Sequence, residues 1–123
     1  MNSKQNILSL SPVDLLLWLQ ENCEIEIPEK ITTIEDLKTA GELISRLTSM
    51  YSYIMSCFLF SKVAVRDAKK NKLSKEEIND CIDRRDILES FANTLKLQYT
   101  AVSRMITVKK QIDEELKMLN GSI

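Results

Sequence analysis

The chain has 123 residues, 44 % hydrophobic and 28 % charged, the ordinary balance of one globular domain. A net charge of -1 removes any global electrostatic reason to expect nucleic acid or an anionic membrane as partner. Only 2 Gly and 2 Pro are present, too few turn residues for a sheet-rich domain of this length, so the expected fold class is all-α with long uninterrupted helices.

At the N-terminus, MNSKQNILSL holds no apolar run long enough for a signal peptide. The first helix is expected over residues 11–22. Ser11 is a good N-cap, Pro12 suits the first helical position, and Asp14 sits at the positive end of the helix dipole. Leu10 and Leu15 have the spacing of a hydrophobic staple. Residues 23–32 read as a loop: CEIEIPEK alternates apolar and acidic residues, but a lone strand has nothing to pair with. A second helix is expected over residues 33–71, starting at Thr32 or Thr33, each of which has an acid three residues on. Its seam reads Ile34, Leu37, Gly41, Ile44, Leu47, Tyr51, Ile54, Phe58, Ser61, Val65 and Ala68, in steps of mostly three and four.

The turn KNKLSKEE follows, with Asn71 expected in the left-handed position, Ser74 and Glu77 as a capping box, and Leu73 and Ile78 as a staple. The third helix is expected over residues 74–119. Its seam runs from Ile78 through Leu88, Ala92, Leu95, Tyr99, Val102 and Ile106 to Ile112, Leu116 and Leu119, interrupted by Arg85 and Lys109. Helices this long belong to a hairpin, a bundle or a coiled coil. The architecture expected over residues 1–123 is one domain: a long antiparallel helical hairpin with a short N-terminal helix.

Charge distribution supports that pairing. Three lysines against eight acids leave residues 1–45 at -5, and six basic residues against Asp67 leave residues 62–75 at +5. Residues 76–90 carry two arginines against six acids, -4, and residues 91–112 carry four basic residues and no acid, +4. Folded at Leu73, position i faces roughly position 146 - i, and each block meets its opposite. Lys62 and Arg66 then lie near Arg84, Asp83 and Asp80, and Glu35, Asp36 and Glu42 near Arg104, Lys109 and Lys110. Exposed pairs contribute under ~1 kcal/mol each, but a slipped register would set like charges together.

Residues 50–60 (MYSYIMSCFLF) are apolar on nearly every side, too short to span a bilayer and interrupted by Ser52 and Ser56. One partner helix cannot cover Met50, Tyr51, Tyr53, Met55, Phe58, Leu59 and Phe60. With Trp18 from the first helix they form the expected oligomer or partner interface, most simply closed as a four-helix bundle by a second hairpin. The expected partners are therefore another copy of the chain and another protein.

Few sites of chemistry emerge. There is no His, so a Cys-His nucleophile is excluded, and no phosphate-cradling Gly-rich loop or G-x-S-x-G is present. Cys23, Cys57 and Cys81 are odd in number and widely spaced, which fits reduced thiols in a cytoplasmic compartment, with Cys57 and Cys81 as small core residues. No cofactor and no metal is expected. The acidic spacing EEINDCIDRRD (Glu76, Glu77, Asp80, Asp83) resembles the Mg²⁺-binding helices of all-α nucleotide pyrophosphohydrolases, but the facing stretch is basic where a second set of oxygen ligands would be needed. Candidate anion or partner contacts are Arg66, Lys69, Lys70 and Lys72 at the turn, and Lys96, Arg104, Lys109 and Lys110 along the third helix. Cations at a helix C-terminus are favourable without any ligand.

The hairpin, and above all QYTAVSRMITVKKQIDEELKML (residues 98–119), resembles small helical-hairpin accessory proteins of bacteriophages and prophages. That resemblance implies a factor that binds a host or phage protein, including inhibitors of host defence, acting in the host cytoplasm; it transfers no functional residue. The expected function is thus a non-enzymatic protein–protein interaction module, oligomeric and of phage accessory or inhibitor type. Nucleic-acid association through the basic turn (residues 62–75) or the stripe over residues 96–110 is the first alternative, and a small-ligand-binding or nucleotide-cleaving bundle the second.

Overall fold

The computed structural model describes residues 7–121; residues 1–6 and 122–123, at the two ends of the expected domain, lie outside them. The fold is all-α: among the described residues the long elements are the helices α1 (Pro12–Cys23), α2 (Ile34–Lys70) and α3 (Lys75–Gly121), and there is no strand. α2 and α3 have 37 and 47 residues, so they are rods of about 55 and 70 Å at 1.5 Å per residue. They pack along each other as an antiparallel hairpin, and α1 lies along α3.

The local sequence dictates where each helix begins. The Asp14 N–H donates to Ser11 Oγ at 3.2 Å, with Pro12 in the first turn. Of the two threonines before α2, Thr33 is the cap. Its Oγ1 accepts from the Asp36 N–H at 3.0 Å, and Asp36 Oδ2 accepts from the Thr33 N–H at 3.1 Å, a complete capping box. Asp36 Oδ2 also accepts from the Thr32 N–H and hydroxyl. These backbone donors hold the Asp36 carboxyl below the usual aspartate value.

The turn differs from expectation in one residue. Asn71 has φ -85°, and it is Lys72 that adopts the left-handed conformation, φ 54°. The Lys72 N–H donates to Lys69 O at 3.2 Å and the Leu73 N–H to Ala68 O at 3.1 Å, the two bonds of a Schellman motif. Asn71 thus caps α2 and the left-handed residue comes one position later, which places that strain on a side chain with a Cβ. Lys72→Gly is expected to raise the unfolding free energy by about 1 kcal/mol, and Lys72→Val to lower it. Equal urea midpoints for the two variants would show that the position is unstrained.

The seam between the rods is built largely from small and aliphatic residues. Ala40, Leu43, Leu47, Ile54, Cys57, Ser61, Val65 and Ala68 of α2 are buried, with Leu88, Ala92, Leu95 and Val102 of α3. This corrects part of the expected seam. Gly41 is exposed and Ile34 is 80 % exposed, while Ile44, Tyr51 and Phe58 are half-buried at the flank. Ala40/Gly41, Leu43/Ile44 and Cys57/Phe58 are adjacent apolar or small pairs, so a three-four pattern fits either set. Close approach favours the smaller Cys57 and pushes the larger Tyr51 and Phe58 outward.

The expected charge blocks do face each other, but they form no ion pair across the hairpin among the described residues. The ion pairs present join neighbours on one helix: Arg66–Asp67 at 3.7 Å, Arg85–Asp86 at 3.0 Å and Lys109–Asp113 at 2.6 Å. Asp36 is engaged in its cap and Arg84 in holding α1.

Helix α1 is seated by polar anchors at both ends. Arg84 Nε donates to Leu10 O at 2.7 Å, and Gln98 Nε2 donates to Ile25 O at 2.9 Å. Their order makes α1 run parallel to α3. Between them Leu15, Leu19 and Cys23 are buried in the common core with Ile7 and Ile25. At the far end α2 starts roughly opposite Ile112, so α3 outruns its partner helix. The apolar pattern continues there without cover: Ile112 is 49 % and Leu119 65 % exposed.

Candidate functional site

A two-helix hairpin has two long grooves, one on each side of its seam. Helix α1 fills one. The Trp18 ring lies 6.3 Å from that of Tyr53, tilted by 43°, and Arg84 and Gln98 mark the same side on α3. Residues two apart on a helix point about 200° from each other, so Tyr51 opens into the other groove. There it lines a hollow of about 300 Å³ with Leu47, Thr48, Lys96 and Tyr99. That Tyr51 and Leu47 share one hollow with Lys96 and Tyr99 is consistent with the register the charge pattern calls for.

Ile44, Met55 and Phe58 share that side of α2 with Tyr51 at helical spacing, all half-buried. Leu59, at the outer edge, is 54 % exposed. The Lys62 ammonium sits 5.6 Å from the centre of the Phe58 ring and closes one end with a cation–π contact. The result is an apolar trough with a polar rim.

The expected interface residues therefore divide. Tyr51, Met55, Phe58 and Leu59 belong to the open groove. Trp18 and Tyr53 are packed against each other under α1, and Met50 is half-buried against the core. Phe60 is 52 % exposed on the α1 side of the rod. Sequence reasoning misses Ile44 and Thr48 as groove residues and puts Tyr99 in the seam. The signal that could find them is their position flanking a seam residue at seven-residue spacing.

The basic candidates do not form one site. Arg66, Lys69, Lys70 and Lys72 are exposed at the hairpin tip, and Lys96 is on the open groove. Arg104 and Lys110 are exposed farther along α3. Lys109 has only 13 % of its side chain exposed and is tied to Asp113. The acidic stretch at the start of α3 gains no ligands from another element. No group of three or more His, Cys, Asp or Glu among the described residues is arranged to hold a metal ion.

The thiols separate by burial. Cys23 and Cys57 are buried, and Cys23 is pushed up to about 11 by desolvation and by the neighbouring Cys57. Cys81, expected in the core, is only half-buried, with Arg84 Nη1 3.7 Å from its sulfur. Because the thiolate is the reactive form, the native protein is expected to give one fast-reacting thiol with Ellman's reagent, Cys81, and three after denaturation. Rapid loss of Cys23 or Cys57 at native pH would show that α1 does not stay seated.

Among the described residues, no helix is long and apolar enough to cross a membrane. No family model, no curated protein and no solved structure matches the chain.

Proposed function

We propose that this chain is a non-enzymatic protein–protein interaction module, of the phage accessory or inhibitory type that its third helix resembles, and that it receives a helical partner in the open groove beside Tyr51. One observation carries the reading: the hairpin has two grooves, its own α1 occupies one, and the other is lined by half-buried Tyr51, Met55 and Phe58, with Leu59 and Tyr99 exposed at its edges. An aromatic and methionine-bearing trough with a polar rim is the composition of interface cores. Rod-like hairpins close such troughs with further helices, as four-helix bundles do. Three cysteines outside any disulfide are consistent with action in a reducing cytoplasm, that of the host if the gene is carried by a phage.

The reading is tested by placing a photocrosslinking side chain at Thr48, in the groove, or at Gln111, on exposed α3, in the full-length protein in its native cell. Adducts from Thr48 and none from Gln111 are expected. Equal or absent adducts at the two sites would remove the groove as a docking surface. The exposed lysines and arginine at the hairpin tip favour a second reading, nucleic-acid association, which requires a mobility shift that weakens steeply with salt.

A further inference from the structure

Resting on that reading, we propose that the occupant of the open groove is a second copy of this chain, docked antiparallel about a two-fold axis midway between Glu89 and Lys96. On α3 the edge beside the groove is drawn from every seventh residue: Ile82, Glu89, Lys96 and Ser103. Lys96 lines the hollow with Tyr51. Glu89 lies two helical turns earlier, about 10 Å away by helical spacing, at the border between that edge and the outer face it shares with Asn93 and Leu97. Both are exposed, and neither takes part in an ion pair among the described residues.

A two-fold axis perpendicular to the rods and level with the point between them exchanges the two positions. Lys96 then meets the partner's Glu89, and Glu89 meets the partner's Lys96, a self-complementary arrangement that an isologous interface requires. The apolar levels match under the same operation. The axis crosses α2 near Tyr53 and Ile54, so Tyr51 comes nearly level with the partner's Met55, and Leu59 with the partner's Thr48. The other symmetric choice, a two-fold axis along the rods, sets α3 against the partner's α2, where Lys96 and Glu89 face uncharged residues. Charge complementarity therefore selects the antiparallel dimer, and the closed object is a four-helix core with one α1 on each outer side.

Charge reversal tests this with variants that leave the seam intact. Sedimentation velocity of the wild-type protein is expected to give about twice the 14.2 kDa chain mass at micromolar concentration. Lys96→Glu brings two carboxylates together at each end of the interface, and Glu89→Lys brings two ammonium groups together there. Each variant alone is expected to associate at least about tenfold more weakly, with unchanged circular dichroism. Mixed in equal amounts, the two variants are expected to recover the dimer as a heterodimer, and the double variant Glu89→Lys, Lys96→Glu to recover it alone. A wild-type monomer, single reversals that still dimerise, or a mixture that stays monomeric would overturn the proposal. The interaction reading stands or falls separately: Thr48 adducts to a different protein would refute the second copy and keep the groove, whereas no groove-specific adduct would refute both.

Discussion

Leu95→Ala is expected to lower the unfolding free energy by about 3 kcal/mol and the melting temperature by ~10 °C. Leu95 is 2 % exposed in the middle of the α2–α3 seam, and it also borders the cleft where α1 ends at Cys23. Truncation there removes a transfer contribution and leaves a void that two rigid rods cannot collapse to fill. The matched control is Leu97→Ala, two residues away on the outer surface and 71 % exposed, for which a change within about 0.5 kcal/mol is expected. Urea melts at one protein concentration compare the two. Similar midpoints would mean that Leu95 does not sit in a packed seam, and the hairpin register would have to be abandoned with it.

That pair of leucines also shows how far the sequence can be read. The hairpin is legible because its signals are local and chemically specific. Ser11 with Pro12, Thr33 with Asp36, and Ser74 with Glu77 mark the helix starts, and each cap hydroxyl accepts its backbone N–H, though only Thr33 and Asp36 form the full reciprocal box. Gly and Pro are so scarce that little else interrupts the rods. Which of two adjacent residues enters the seam is not legible. Ala40 and Gly41, or Cys57 and Phe58, satisfy the same spacing, and only the interhelical distance decides between them. That distance is a property of both rods together.

The seat of α1 is illegible for a different reason. Arg84 and Gln98 hold it through backbone carbonyls of Leu10 and Ile25, some seventy positions earlier, and polar residues inside a heptad pattern give no periodic signal of such a role. With α1 unplaced, Tyr51 and Tyr53 look equivalent. The structure separates them into an occupied and an open groove, and that separation turns a wide apolar band into a candidate docking surface. The charge blocks indicate the register but not the contacts. Exposed lysines and glutamates find solvent or a same-helix neighbour at lower entropic cost than a partner across a seam.

The second large effect concerns the coupling between α1 and the hairpin. Leu19→Ala is expected to weaken α1 docking by about 3 kcal/mol while leaving the hairpin folded. Helix α1 has 12 residues and buries Leu15, Leu19 and Cys23 between its two polar anchors, so it is too short to persist as a helix once released. The α2–α3 seam holds most of the remaining core. Amide exchange in α1 should accelerate about a hundredfold, the factor that 3 kcal/mol corresponds to, and Cys23 should become reactive toward thiol reagents. Amides at Leu88, Leu95 and Val102 should keep their protection. Loss of protection in all three helices by the same factor would instead mean that α1 and the hairpin unfold as one unit, in which case the occupied groove is part of the folding core and the open one cannot be its independent counterpart.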